Sequence, residues 1–135
     1  MSADGKHIVL IDDDPDMHEA IKMILEPQGF RITCCSTGPA GLQTVRENPP
    51  DLVLLDIMLS SPSEGFHLSY EMRQDEALAK VPIIMISAIG DTMGMDFAKE
   101  LGSEYIQAEM FIEKPLDAAR LREAVAAVLS GPAQE

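Results

Sequence analysis

The stretch HIVLIDDDPD, residues 7–16, decides the fold. Ile8 to Ile11 form an unbroken aliphatic run, the pattern of a strand buried on both faces; a half-exposed strand would alternate. Asp12 and Asp13 end the run. Asp14-Pro15 has the form of a helix N-cap followed by proline at the first helical position. Met17, Ile21, Ile24 and Leu25 then recur at helical spacing, and Pro27-Gln28-Gly29 stops that helix.

Three further apolar runs repeat the design, each closing on a chemically active side chain. PDLVLLD ends on Asp56, VPIIMIS on Ser87, and EMFIEKP runs into Lys114. Open α/β sheets build their sites outside the carboxyl ends of parallel strands, so these side chains are expected to share one rim with Asp12 and Asp13.

Between the runs lie helical patterns. Phe30 to Cys35 reads as a second strand, followed through Thr37-Gly38-Pro39 by a helix carrying Leu42 and Val45 and stopped by Asn48-Pro49-Pro50. The loop MLSSPSEG precedes a helix with Leu68 and Met72 on one face. Asp91 is placed to cap a helix containing Phe97 and Leu101. Asp117 caps the last helix, with a Leu116–Leu121 staple and Leu121, Ala124, Val125 and Val128 as its buried stripe. Five strands alternating with five helices predict an α/β doubly wound parallel sheet, because parallel neighbours need crossovers and helices fill them. One domain is expected over residues 1–135, with a core over about 6–130 and a Gly/Pro/polar tail over 131–135.

Composition narrows the function. Aromatic residues make up 4% of the chain and tryptophan is absent, so base stacking has little to work with. A net charge of −13, from ten Lys and Arg against 23 Asp and Glu, argues against a nucleic-acid face. MSADGKH has no apolar signal core, and no run reaches the 18 or so residues of a membrane span, so a cytoplasmic location away from membranes is expected. Cys34 and Cys35 are adjacent on a strand, where side chains point to opposite faces. They read as structural fillers.

Asp12, Asp13 and Asp56 brought together would repel one another, which makes a hard oxygen-seeking cation the natural resident. Mg²⁺ suits an open rim because it takes one or two carboxylates and keeps water or phosphoryl oxygens elsewhere. An aspartate beside such a cation, a lysine and a hydroxyl can act as a nucleophile toward phosphorus. Lys114 would neutralise phosphoryl charge, and Ser87 would hydrogen-bond a phosphoryl oxygen.

VLIDDDP, LVLLDIML, IIMISA and FIEKP stand together in the order of the response-regulator receiver domains of two-component signalling, and the chain resembles that CheY-like family over nearly its whole length. The resemblance implies a flavodoxin-like sheet of strand order 2-1-3-4-5. It makes Asp56 the phospho-acceptor, Asp12 and Asp13 the acidic pair with Asp13 the more direct magnesium ligand, and the Met58 backbone carbonyl a further ligand. Ser87 stands at the switch hydroxyl, Lys114 at the phosphate-contacting lysine, Phe111 at the aromatic switch, and Lys114-Pro115 at a cis peptide. The family's partners are a sensor histidine kinase or histidine phosphotransfer protein and a downstream target. Its output surface lies on the fourth and fifth helices and the fifth strand, which also offers a homodimer contact.

By that resemblance the chain is no enzyme beyond catalysing its own phosphorylation and dephosphorylation. A phosphorylation-independent interaction module is the alternative. A haloacid-dehalogenase-type phosphatase needs a second aspartate where Met58 stands, and an FMN carrier needs a phosphate cradle where DDDPDM stands. Two departures from the family pattern matter: the loop after Asp56 carries Ser60 where a proline is common, has Pro62 later and runs one residue longer before Gly65, and the segment from Gly102 to Lys114 is longer than the family needs. That segment reads either as a partner-specificity feature through Tyr105, Ile106 and Met110 or as a longer solvent-facing fourth helix or loop. Met58 and Ile89 flank the site and cannot orient an attacking water, so slow loss of the phosphoryl group is expected.

Overall fold

A computed structural model of the chain describes residues 6–56, 64–87, 110–113 and 117–129. The first aliphatic run is β1 (His7–Ile11), and its five residues are all buried. Helix α1 (Pro15–Leu25) starts as its sequence dictates, with Asp14 as N-cap and proline in the first turn. A 3₁₀ turn, Glu26–Gln28, follows, and Gly29 takes the left-handed φ of 101° that lets the chain reverse into the next strand. Strand β2 (Arg31–Cys35), helix α2 (Gly38–Glu47, capped by Thr37), strand β3 (Leu52–Asp56) and helix α3 (Glu64–Gln74) come next. Strands β4 (Ile83–Ser87) and β5 (Met110–Glu113) and a C-terminal helix (Ala118–Leu129) complete the described elements.

The order β2-β1-β3-β4 is the flavodoxin-like arrangement expected from the sequence, with β5 parallel to β4 on its far side. All pairings are parallel, and Ile11 stands opposite both Cys35 and Leu55. The helix expected around Phe97 and Leu101, Leu116 of the proposed staple, and the loop after Asp56 lie outside the described residues.

Alternate strand residues feed two cores. Val9, Ile11, Val53, Leu55, Ile83 and Met85 face one side, where α2 and α3 contribute Val45, Leu68 and Met72. Ile8, Leu10, Leu52, Leu54, Ile84 and Ile86 face the other, covered by Met17, Ile21 and Leu25 of α1 and by Leu121, Ala124 and Val125 of the C-terminal helix. This two-sided burial is why the strands read as continuous aliphatic runs. Each fully buried aliphatic side chain contributes about 1.5–3 kcal/mol. Together they hold the ends of β1 and β3 side by side.

One contact brings a helix unusually close. Gly41 on α2 lies over Ile11, and a methyl group at that position would fall on the Ile11 side chain, 2.6 Å from its Cγ1. The glycine is therefore a packing requirement at the end of β1, immediately before Asp12.

Candidate functional site

The ends of β1 and β3 carry the acids. Past the last residue of β1, the Asp12 amide still donates to the Cys35 carbonyl at 3.0 Å, so the ladder with β2 holds Asp12 in line with the strand. Its carboxylate turns inward and is fully buried, while Asp13 is exposed. The Asp14 amide donates to Asp12 Oδ1 at 2.9 Å. Asp14 in turn caps α1, its Oδ1 accepting from the Asp16 amide at 2.9 Å. The string DDD thus has separable duties: Asp12 faces the rim from inside, Asp13 faces it from solvent, and Asp14 starts the helix.

Asp56 is the last residue of β3, 4% exposed, and pairs in register with Ile86 of β4. One carboxylate oxygen from each of Asp12, Asp13 and Asp56 lies within 4.8 Å of the others. Three such charges repel strongly where two are buried, and the donors are all hard oxygens with one exposed side. That donor set fits a divalent cation of the magnesium type, which uses few carboxylates and keeps open positions.

Ser87 ends β4 one register position past Ile86, the partner of Asp56, so its backbone reaches the same sheet edge. Phe111 sits in β5 opposite Met85. Met58 and Lys114 lie outside the described residues, although Lys114 directly follows the last residue of β5.

One neighbour of the acids escaped sequence reading. The ring of His18, half-buried on α1, lies with Nε2 at 2.6 Å from the Asp12 carbonyl oxygen. A carbonyl can only accept, so Nε2 carries the proton and donates. Nothing in the helical periodicity marks this residue, because the contact arises from a loop folding back over the helix start.

The cysteines are free, with Cys35 buried and Cys34 half-buried. Burial pushes the Cys34 thiol above its ordinary pKa, with Lys22 pulling the other way. A thiol so placed is a poor nucleophile, in keeping with a filler role.

Residues 8–126 match the response regulator receiver domain family, and the chain belongs to that family. It is 35% identical over 127 residues to the transcriptional regulatory protein CseB of Streptomyces coelicolor, covering 94% of this chain and 50% of that protein. It is 36% identical over 120 residues to the DNA-binding response regulator MtrA of Mycolicibacterium smegmatis, covering 87% of this chain and 51% of that one. The chain therefore spans about half the length of the curated relatives it matches. Among solved structures, the receiver domain of NtrX from Brucella abortus superposes with a TM-score of 0.75 at 29% identity, covering 90% of this chain and 97% of that domain. Among the described residues no helix is long and apolar enough to cross a membrane.

Proposed function

We propose that this chain is a single, phospho-accepting receiver domain of a bacterial two-component or phosphorelay system, located in the cytoplasm, with Asp56 taking a phosphoryl group from a histidine of a sensor kinase or phosphotransfer protein. The convergence of the Asp12, Asp13 and Asp56 carboxylates at the ends of two neighbouring buried strands carries this reading. Membership of the receiver family supports it.

In the transfer, an Asp56 carboxylate oxygen forms a bond to phosphorus while the donor's N–P bond breaks. The departing imidazole nitrogen keeps the electron pair and takes up a proton from water. Asp12, Asp13, Asp56 and the Met58 carbonyl would hold Mg²⁺, which would supply charge neutralisation for the phosphoryl oxygens. Buried Asp12 and Asp56 keep their positions because the ladder fixes their backbones, so little reorganisation is needed. In the same reading Lys114 contacts the phosphoryl group, Ser87 bonds to it and pulls the loop after β4, and Phe111 repacks in response.

The full sheet of five strands with five helices belongs to this proposal, as does an output face built from the fourth and fifth helices and the fifth strand. That face serves a downstream target and a homodimer contact. The domain does no turnover chemistry beyond its own phosphorylation and dephosphorylation, and its −13 charge keeps it off nucleic acid directly. The phosphorylation-independent alternative has no observation in its favour. Intact mass after incubation with acetyl phosphate, with and without Mg²⁺, tests the reading. One Mg²⁺-dependent, hydroxylamine-labile phosphoryl adduct is expected on the wild type. Its absence with acetyl phosphate and with a phosphohistidine donor alike would overturn the proposal.

A further inference from the structure

We propose that His18 is a positioning residue of the acidic site, holding the peptide between Asp12 and Asp13 in the orientation that lets both carboxylates reach one cation. The inference rests on the metal-dependent reading above and goes beyond it to a residue outside the acidic set.

The geometry is specific. Three groups of Asp12 are held, from β2, from within the loop itself and from α1. Its amide donates to Cys35 of β2 at 3.0 Å, its Oδ1 accepts from the Asp14 amide at 2.9 Å, and its carbonyl accepts from His18 Nε2 of α1 at 2.6 Å. The first two fix the entry to the loop and the direction of the buried carboxylate. The third bears directly on the plane of the peptide that leads into Asp13, while the Asp14 amide closes the loop from the other side of Asp13. Asp13 is exposed and lies between these two anchors, so the His18 contact helps to set its direction where side-chain packing does not.

His18 is itself anchored. Its amide donates to the Asp14 carbonyl at 3.2 Å in the first turn of α1, and Met17 beside it is buried in the core shared with β1. The ring therefore transmits the position of a packed helix to the loop. Groups that orient metal ligands in this way typically change affinity by roughly 10–100-fold when removed. The role needs a donor at the reach of Nε2, and it does not need a charge.

The test is Mn²⁺ binding to the unphosphorylated full chain, read by electron paramagnetic resonance as loss of the free-ion signal, for wild type, His18→Leu and His18→Gln. Leucine keeps the apolar bulk and removes the donor. Glutamine places an amide N–H at nearly the same reach. Melting temperature with and without Mn²⁺ is measured alongside. The Leu variant is expected to bind Mn²⁺ about tenfold more weakly and to gain less from the cation on melting, with Gln restoring most of both. Equal binding by wild type and His18→Leu, or His18→Gln as weak as His18→Leu, would overturn the role for His18. Failure of the wild type to bind Mn²⁺ would overturn the metal-dependent reading and the proposal with it, an outcome separable from the others because it appears without mutation.

Discussion

The two ends of the central strands treat buried polar groups in opposite ways. At the amino end, His7 is buried, but its amide bonds to Asp51 Oδ2 at 2.8 Å and its Nε2 lies 2.7 Å from Thr33 Oγ1 on β2. Polar side chains from three segments meet there as donor and acceptor. At the carboxyl end, Asp12, Asp13 and Asp56 meet as three groups of the same sign. Both ends stand on the same aliphatic strands, so the difference lies in the side chains and not in the scaffold. One end ties strands together. The other concentrates charge of one sign, which a bound divalent cation would help to balance.

The comparison can be broken most sharply at Asp56. Asp56→Asn is expected to abolish the phosphoryl adduct with acetyl phosphate, and any adduct of equal yield on the variant would place the acceptor elsewhere; intact mass reads this directly. Asp13→Asn comes next, with two effects of opposite sign. Mn²⁺ binding should weaken by at least tenfold. The cation-free protein should melt a few degrees higher, because relief of like-charge repulsion is worth on the order of 1 kcal/mol. A lower melting point in cation-free buffer would mean that the three acids are not in conflict.

Gly41→Ala probes the scaffold beneath the acidic end. The added methyl meets Ile11, so a loss of about 1–3 kcal/mol in urea unfolding is expected. In the double variant Gly41→Ala/Ile11→Ala the γ and δ carbons that the methyl meets are gone, so its loss should be smaller than the sum of the two single losses, which would tie the cost to this contact.

The smallest effect lies at the amino end. Burial first, and the Arg31 charge second, hold His7 below its ordinary pKa of 6.5, while Asp51 opposes them. The unfolded chain then binds the proton more readily than the folded one. His7 leaves stability intact above about pH 6.5 and costs stability as pH falls from there through its folded pKa. Other groups titrate in the same range, so the measurement is the difference between wild type and His7→Gln in urea unfolding at pH 7.5 and 5.5. The variant should lose less stability on acidification. An equal loss would show that this end of the sheet is not sensitive to His7 protonation.

Much of this was written in local sequence. The runs at Ile8–Ile11 and Leu52–Leu55 announced strands buried on both faces, and Asp14-Pro15 and Thr37 announced helix starts that the hydrogen bonds bear out. The stripe Leu121, Ala124 and Val125 is buried as its spacing predicts. Three details were not legible. Gly41 gave no signal because its role is an absence of side chain against a residue thirty positions earlier in the chain. His18 looked like an ordinary helical polar residue. His7 carried no local sign of its burial, which arises because Thr33 of β2 and Asp51 before β3 meet it.

The sequence by itself determined which residues form strands and helices and which side chains end the strands, since period and capping are local properties encoded within a few residues. The tertiary structure decided which of those side chains meet and what holds them. The parallel register that sets Ile11 against Leu55 brings Asp12 and Asp56 together, and the fold of the loop over α1 brings His18 to the Asp12 carbonyl. These pairings depend on contacts between residues far apart in the chain, where no local pattern records the partner.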